Sequence, residues 1–252
     1  MKTETPTAPS AETYPQIRSV GIDGLLVSFG PGLSEPANRA ALAFRAALER
    51  EAWDGVEETS SSLVSAYLRF DPLHLSHAAL RARLDVLIAA QDWLQAELPR
   101  GRSLHRIPTV YGGALGPQLA EAAAVAGMTE AEARASLSSA RVRVTALGFA
   151  PGQPYLGQLP EAWNIPRQQA LTPQVPKGAL VLAIRQFVIF SVTAPTGWRH
   201  VGRTAAPLFR LGHDRPFLLA PGDEVIFPEA PEDSFPALQA DPDGGCTREA
   251  LS

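Results

Sequence analysis

Three cationic side chains in the second half of the sequence could do chemistry: Arg167, Lys177 and Arg203. Each lies beside Pro, Gly or Thr, in a segment typical of loops between short strands. Arginine presents a planar fork of N–H donors that matches a carboxylate or phosphate, whereas lysine acts as a point charge. Such groups also stabilise an oxyanion that develops during a reaction. The alternative is that these cations are solvated or bond loop carbonyls, as exposed charged residues commonly do.

Two polar residues next to Arg203 could assist these cations. His200 lies between Trp198 and Arg203, and a histidine in such a position is a candidate acid or base. The Thr204 hydroxyl could support an oxyanion or simply satisfy the backbone. We expect no metal site, because no metal-ligand spacing relates the five histidines, which are His74, His77, His105, His200 and His213.

A proline-rich loop occupies residues 148–157, Gly-Phe-Ala-Pro-Gly-Gln-Pro-Tyr-Leu-Gly. Its prolines fix φ, and Gly152 permits a positive φ or a close approach to the backbone. The loop follows a strand-like run at 141–147, so we predict a rigid loop at a strand end, where binding groups are commonly placed. The alternative is a plug at the corner of a barrel.

Loop and aromatic residues are predicted to line a substrate pocket beside the cations and His200. Core packing is the alternative role for each aromatic ring. Tyr111 could gate the junction between two domains or pack there. The predicted lining comprises Phe149, Pro151, Gly152, Gln153, Tyr155, Trp198, Thr204 and Tyr111.

Composition excludes several classes of protein. The formal net charge of −4 argues against nucleic acid as a main partner, because phosphate binding needs a basic surface. No run approaches the ~20 apolar residues of a membrane helix, and residues 1–16 lack the apolar segment of a secretory signal. The single cysteine, Cys246, allows no internal disulfide. We therefore expect a cytoplasmic protein without a membrane partner.

The first half of the sequence predicts a ferredoxin-like α/β domain over residues 17–108, after a disordered segment at 1–16. Ser34 and Ser76 are predicted helix N-caps, each followed by apolar residues at helical spacing. The predicted elements are a hairpin at 17–29, a helix at 35–50, strands at 56–60 and 63–70, a second helix after Ser76, and an extended segment at 102–110.

The second half predicts an antiparallel β-barrel over residues 109–228. Short β-rich runs separated by Gly and Pro suit a partly closed barrel. A helix at 119–126 ends at Gly127, and Thr129 with Glu132 predicts the capping box of another. Residues 229–252 are rich in Pro, Asp and Glu, and we expect them to be disordered.

Several separated motifs resemble one family. The chain is similar to the family of the 5-oxoprolinase B subunit and allophanate hydrolase subunit 1, which contains carboxyltransferase subdomains C and D and inhibitors of a sporulation histidine kinase. The resemblance covers nearly all of residues 17–228, and the motifs follow one another in the family's order. They are Val20-Gly-Ile-Asp-Gly, Ile107-Pro-Thr-Val-Tyr-Gly-Gly, Gly116-Pro-Gln-Leu, the 148–157 loop, Pro166-Arg167, Val175-Pro-x-Gly178, Gly197-Trp198, Val201-Gly-Arg-Thr204 and Pro221-Gly-Asp-x-Val225.

The resemblance implies an α+β fold in which an N-terminal α/β domain precedes a cyclophilin-like antiparallel β-barrel. It also implies a larger partner, equivalent to the 5-oxoprolinase C subunit or to allophanate hydrolase subunit 2, in a hetero-oligomer with the active site near their junction. Enzymes of the family open the lactam 5-oxoproline with ATP, and fused relatives carboxylate urea. The resemblance therefore implies ATP as the cofactor, and either the complex or this chain could hold it. The sequence has no P-loop, so no nucleotide is held by a P-loop in this chain.

The sequence departs from the family's pattern at polar positions. Ala114 and Gln118 replace two acidic residues, Gln153 replaces an aromatic residue of the loop, and Leu137 replaces a histidine. Further departures are Val142 for a tyrosine, Leu171-Thr172 for a Pro-Arg pair, and Thr196 for a glycine. These losses point to a divergent member of the family. A non-catalytic regulatory or binding protein, such as a kinase-inhibitor-like module, is therefore the alternative to an enzyme subunit.

Overall fold

A computed structural model describes residues 13–251 of the chain, which divides into two units at Leu98 and Pro99. The fold is a mixture of helices and mostly antiparallel strands, which confirms the predicted α+β class. The boundary lies before residue 108, because residues 103–106 pair with strands of the second unit. Residues 1–12, most of the segment predicted to be disordered, lie outside the described residues, and the first strand begins at Gln16.

The first unit has four strands and two helices. Its strand order is β1-β2-β4-β3, and the three pairs are antiparallel. Because β4 lies between β2 and β3, the β2-α1-β3-β4-α2 segment has the split arrangement of ferredoxin-like folds. The elements are β1 (Gln16–Val20), β2 (Gly24–Ser28), α1 (Glu35–Glu51), β3 (Val56–Ser62), β4 (Ser65–Phe70) and α2 (His77–Ala89).

Both helices of the first unit begin at the predicted caps. The hydroxyl of Ser34 accepts a hydrogen bond from the Ala37 N–H at 3.4 Å, and that of Ser76 accepts one from the Ala79 N–H at 3.2 Å. The apolar face of α1 is buried around Phe44, whose ring packs edge-on against the Trp93 ring with 4.9 Å between the ring centres. Side-chain burial against the sheet, rather than helix propensity, therefore fixes α1.

The second unit has one large sheet with helices packed against it. The main strand path is β7-β8-β11-β10-β13-β6, with every pair antiparallel; β14 joins β7 to β5, and β15 pairs with β5. The elements are β5 (Ser103–Arg106), β6 (Thr109–Tyr111), α3 (Leu119–Val125), α4 (Glu130–Ser139), β7 (Arg141–Leu147), β8 (Pro154–Gly157), β9 (Thr172–Val175), β10 (Ala179–Ala183), β11 (Gln186–Ile189), β12 (Ala194–Thr196), β13 (Arg199–Thr204), β14 (Glu224–Ile226), α5 (Phe235–Ala240) and β15 (Thr247–Ala250).

The predicted cyclophilin-like barrel is not confirmed. Within residues 13–251 the strand pairs of the second unit run from β6 to β15, and none of them closes the path into a ring. The short strands β9 and β12 form a separate two-stranded sheet. The β-rich pattern thus predicted the strands and their antiparallel pairing, while closure depends on long-range pairing that local pattern does not encode.

Strand β10 is buried on both of its faces. Leu180 and Leu182 belong to the core that packs with α3 and α4, whereas Val181 lies in a second, smaller core with Trp198. Successive side chains of a strand point to opposite faces, so the two cores lie on opposite sides of this sheet. Of the predicted site residues, Trp198 belongs to the smaller core and Tyr155 packs against it.

Residues 229–251 are ordered, so the prediction of disorder is wrong for them, while Ser252 lies outside the described residues. Phe235 is buried at the start of α5, and β15 pairs antiparallel with β5. The Arg248 Nε also donates to the Ser103 Oγ at 2.7 Å. The Pro- and Asp-rich composition gave no sign of this order, because a strand that pairs at an exposed edge of a sheet needs few apolar residues. No helix within residues 13–251 is long and apolar enough to span a membrane.

Candidate functional site

Strand β13 directs two predicted site residues to one face of the sheet and Arg199, which was not predicted, to the other. In the pairing of β13 with β10, His200 lies opposite Val181, and Arg203 lies opposite Ala179. Cross-strand partners share a face, so His200 and Arg203 lie on the side of the smaller core. Arg199 lies opposite Leu182 and so points to the other face.

His200 is an uncharged buried imidazole. The residue is 5% exposed, and its Nε2 atom has no hydrogen-bond partner. Burial lowers the pKa of His200 to about 4, and the nearby Arg203 charge adds to this effect, while backbone groups of Gly202 and Leu115 oppose it. At neutral pH the ring is therefore uncharged, with one nitrogen that can donate a hydrogen bond and one that can accept it.

Arg203 and Thr204 have partners of their own within the second unit. The Arg203 Cζ lies 5.4 Å from the centre of the Phe235 ring, and its Nε is buried without a hydrogen-bond partner. The Thr204 Oγ1 accepts a hydrogen bond from the Ala206 N–H at 3.1 Å. The Thr204 hydroxyl thus satisfies a backbone N–H group, which was the alternative to an oxyanion role. The Arg203 Nε keeps an N–H group that donates to no described residue.

Lys177 is exposed on the turn that faces Thr204. The Thr204 N–H donates to the carbonyl of Gly178 at 2.9 Å, and Gly178 has a φ of +83°. A Cβ at Gly178 would collide with the Thr204 carbonyl, so only glycine fits there. The turn therefore places the Lys177 backbone close to the Arg203 end of β13, with its side chain on the surface.

Arg167, Trp198 and Tyr155 form a second group. The Arg167 Cζ lies 5.2 Å from the centre of the Trp198 ring, which is the geometry of a cation–π interaction. Trp198 is 7% exposed and meets the Tyr155 ring edge-on at 6.5 Å. Arg167 itself is exposed, so this stack presents its guanidinium to solvent on an aromatic platform.

A pair of glutamines ties the Arg167 segment to β13. The Gln118 Nε2 donates to the Gln168 Oε1 at 2.6 Å, and the Gln168 Nε2 donates to the Trp198 carbonyl at 3.0 Å. The Gln118 Oε1 accepts from the His200 N–H at 2.9 Å. These bonds connect the residues that neighbour Arg167, Trp198 and His200, and the sequence pattern marked Gln118 only as a lost acid.

Arg199 also holds the Arg167 segment in place, and the sequence analysis did not identify it. Its side chain is buried, and its Nη1 donates to the Pro166 carbonyl at 2.6 Å while its Nε donates to Glu121 at 2.9 Å. Arg199 thus fixes the residue before Arg167 from the opposite face of the sheet. Arg199 is the first residue of β13, two residues after Gly197. This position indicates a contact with Pro166 only when it is known which face of the sheet the Arg199 side chain occupies.

The 148–157 loop has a buried base and an exposed tip. Gln153 is buried, and its Oε1 accepts from the Ser191 N–H at 3.3 Å. Gly152 has a φ of +72°, and a Cβ there would lie 2.5 Å from the Leu208 carbonyl. Phe149 is 74% exposed, also at a φ of +72°, and Pro151 is exposed.

Tyr111 is a core residue of the second unit. Its hydroxyl donates to the Phe227 carbonyl at 3.0 Å. Burial, reinforced by the Glu229 charge, raises the pKa of the Tyr111 hydroxyl well above its ordinary value. The phenol therefore stays protonated and serves packing and hydrogen bonding.

The structure sorts the predicted residues into two groups. Arg167, Trp198 and Tyr155 form a stack in which each ring or cation contacts the next. His200 and Arg203 interact on one face of β13. Among the described hydrogen bonds, ion pairs and ring contacts, no common partner joins Arg167 to Arg203. The Gln118 amide is the structural link, because it bonds both to the neighbour of Arg167 and to the backbone of His200.

A buried His105–Asp223 pair was also missed. Their Nε2 and Oδ2 atoms lie 3.4 Å apart, and Asp223 accepts from the Ser103 N–H at 2.7 Å and the Ala220 N–H at 2.9 Å. Burial alone would raise the pKa of Asp223, but His105 and the two backbone donors outweigh it, so its pKa is lowered. Asp223 lies in the Pro-Gly-Asp motif, which was the available signal.

No group of three or more His, Cys, Asp or Glu side chains within residues 13–251 is arranged to hold a metal ion. The chemistry available in the described part of the second unit is thus that of two guanidinium groups, a neutral imidazole and aromatic rings. Such groups bind anions, stabilise oxyanions and exchange a proton.

The sequence matches a family model described as carboxyltransferase domain, subdomain C and D, over residues 15–219. It is 40% identical over 147 residues to the 5-oxoprolinase B subunit of Escherichia coli O157:H7, and the match covers 57% of this chain and 67% of that protein. It is 28% identical over 232 residues to the 5-oxoprolinase B subunit of Bacillus subtilis strain 168, covering 89% of this chain and 96% of that protein.

Solved structures share the fold. The crystal structure of TTHA0988 superimposes with a TM-score of 0.69 at 34% sequence identity, and the match covers 86% of this chain. The chain spans only 40% of the length of TTHA0988. The Kluyveromyces lactis urea amidolyase superimposes with a TM-score of 0.70 at 19% identity, covering 93% of this chain and 16% of that protein.

Proposed function

The chain belongs to the family of carboxyltransferase domains, subdomains C and D, and on this premise we propose that it is one subunit of an ATP-dependent amide hydrolase. The family predicted from the motifs is confirmed by the match over residues 15–219. In this proposal the chain acts in the cytoplasm with a larger companion, equivalent to the 5-oxoprolinase C subunit or to allophanate hydrolase subunit 2. Its substrate is a cyclic amide such as 5-oxoproline, or a urea-type compound.

One observation carries the proposal above the others. The chain is 40% identical over 147 residues to a protein named as the B subunit of 5-oxoprolinase, and a second protein of that name aligns over 89% of the chain. A likeness this long supports a shared biochemical role more strongly than a shared fold does, because one fold hosts many functions.

The two side-chain groups of the second unit suit such a substrate. Arg167 presents an exposed fork of donors, which is complementary to a substrate carboxylate or to the oxyanion formed when an amide carbonyl is attacked. The neutral ring of His200 is the acid or base of this proposal, and its Nε2 atom has a free hydrogen-bonding position among the described residues. Arg203 brings a further donor to the same face as His200.

The three predicted cations do not fit a triphosphate by themselves. Arg167 lies against Trp198, Arg203 lies against Phe235, and Lys177 stands on an exposed turn, so the three cations have separate settings. We therefore propose that ATP is bound by the assembled complex, and we assign no step of its chemistry to these residues.

A regulatory protein is the second candidate, and Gln118 is the observation that favours it. Where the family pattern has an acid, this chain has an amide that is engaged with Gln168 and the His200 backbone. The Gln118 amide supplies neither the acidic proton nor the negative charge of a carboxyl group. A kinase-inhibitor-like module, which catalyses no reaction, would need neither of them.

The test is to co-express the chain with the larger companion encoded by the same organism. We expect the two proteins to co-purify and to release glutamate from 5-oxoproline only with ATP. Absence of both co-purification and turnover would overturn the proposal. A pull-down with the dimerisation domain of a histidine kinase then tests the second candidate, which fails if micromolar concentrations give no binding.

A further inference from the structure

Phe149 combines two features that are unfavourable in an isolated chain. Its φ of +72° is a conformation that a bulky side chain rarely adopts, and its side chain is 74% exposed. Strain of this kind persists only where the surrounding structure imposes it. Packing of the Phe149 ring does not impose it, because most of the ring is in solvent.

The base of the loop imposes the conformation instead. The Gly148 N–H donates to the Gln153 carbonyl at 3.0 Å, and the Gln153 N–H donates to the Ala150 carbonyl at 3.0 Å. The buried Gln153 side chain and the close contact of Gly152 with the Leu208 carbonyl anchor the loop from below. The fold thus fixes the backbone of Phe149 and directs its side chain outward, which lowers the entropic cost of binding through this residue.

A second aromatic group lies beside the loop. The Phe209 and Phe217 rings lie 5.4 Å apart, and Phe217 is 46% exposed. The Phe209 Cβ lies 3.2 Å from the position that a Cβ on Gly152 would occupy, so this pair adjoins the base of the 148–157 loop. An ion pair at the neighbouring residue, Arg210 with Asp243 at 2.6 Å, gives the group a polar edge.

We propose that Phe149 and the Phe209–Phe217 pair form the surface that docks the larger companion, with Phe149 entering an apolar pocket on it. This inference rests on the proposed function, which supplies the companion. An aromatic anchor with an ion-paired edge is typical of a protein interface, whereas a membrane surface would call for a basic rim.

The comparisons favour a companion of different sequence over a second copy of this chain. Two relatives are named as the B subunit of 5-oxoprolinase, a name that implies an assembly with other subunits. More than half of the TTHA0988 chain lies outside the part matched by this chain, so in that protein the same fold is covalently joined to further structure.

The experiment measures the dissociation constant between the purified chain and the purified companion by calorimetry. We expect Phe149→Ala to weaken binding about 30-fold, as loss of an aromatic anchor does. Phe149→Gly should weaken binding as much while raising, not lowering, the melting temperature of the free chain, because glycine accepts the positive φ. The matched control is Leu73→Ala, an exposed residue of the first unit at 97% exposure, which should change binding less than twofold.

Each outcome bears on the inference. Binding by the wild-type chain with unchanged affinity of both Phe149 variants overturns the docking surface and leaves the proposed function standing. No binding by the wild-type chain overturns both. A dimeric wild-type chain made monomeric by Phe149→Ala would assign the surface to a second copy and overturn the docking of the companion. If the variants raise only the KM of the assembled complex, Phe149 lines the substrate pocket and the inference is wrong.

Discussion

The guanidinium of Arg167 lies over the ring of Trp198, with 5.2 Å between the Arg167 Cζ and the ring centre. The ring is almost fully buried and the cation is exposed, so one side chain belongs to the core and the other to the surface. The contact fixes the direction of a flexible side chain without using its hydrogen-bond donors. Within residues 13–251 no hydrogen bond engages the Arg167 guanidinium, so its N–H groups remain available to a ligand.

Arg167→Ala should impair catalysis by the assembled complex without unfolding the chain. Loss of charged hydrogen bonds to substrate predicts a fall in kcat/KM of about 10- to 100-fold. Because the side chain is exposed, the free energy of unfolding should change by less than about 0.5 kcal/mol. Arg167→Lys should recover little activity, since lysine lacks the planar fork. Arg100→Ala, at another exposed arginine, is the control, and an unchanged kcat/KM in Arg167→Ala would remove Arg167 from the site.

Trp198→Ala should act on stability first. The ring packs with Tyr155 in the smaller core, and its removal should cost about 3–5 kcal/mol in urea denaturation. Trp198→Phe keeps an aromatic platform and should cost less. A loss below about 1 kcal/mol in Trp198→Ala would contradict the burial of this ring.

Gln118→Ala should destabilise the second unit through its polar groups. The substitution removes the donor to the Gln168 Oε1 and the acceptor of the His200 N–H, at a cost of about 1–3 kcal/mol. The exposed Gln169→Ala is the matched control. Equal unfolding free energies for the two variants would show that the amide pair does not hold the Arg167 segment.

His200 should make the protein sensitive to mild acid. Its pKa is about 4 in the folded chain, against 6.5 for the ordinary group. Between these values the unfolded chain binds a proton that the folded chain excludes, so the free energy of unfolding falls as the pH drops from 6.5 to 4. The loss should be at most about 3 kcal/mol and should be absent above pH 6.5.

The check is urea denaturation at pH 7 and pH 4.5 for the wild-type chain and His200→Gln. The variant should lose most of the difference between the two pH values. His74→Gln, at an exposed histidine, should keep it. An identical pH dependence in the wild-type chain and His200→Gln would mean that the buried ring is not the titrating group.

Phe235→Ala should destabilise the chain by about 3–5 kcal/mol, because Phe235 is buried and lies under the Arg203 guanidinium. The neighbouring exposed Pro236→Ala should have little effect. Hydrogen exchange offers an independent measurement, since the paired amides of β15 should be protected. Rapid exchange throughout residues 229–251 would restore the prediction of disorder.

Local chemistry predicted much of the fold. The caps at Ser34 and Ser76 and the capping box of Thr129 with Glu132 begin the helices where the sequence placed them. Each of these signals spans only a few residues, so it can be recognised without knowledge of the rest of the chain. The ordered tail escaped prediction because β15 is stabilised by its pairing with β5, which lies far earlier in the chain.

The site was predicted less completely, because its residues are held by contacts between positions that lie far apart in the sequence. Arg199 reaches Glu121 across 78 residues, and Gln118 reaches Gln168 across 50. Neither pair has a pattern that can be read from local spacing. Arg167 and Trp198 were both singled out from their motifs, but their contact depends on these distant clamps.

The register of β15 with β5 has a mechanical consequence. Ala250 lies opposite Ser103, so the two ends of the second unit meet in a single antiparallel strand pair. Tension applied at both ends of the second unit would break the β5–β15 hydrogen bonds one after another, starting at the Ser103–Ala250 end, and would not load all of them at once. The same proximity makes the unit a candidate for circular permutation, with a short linker joining the ends and new termini opened at an exposed turn.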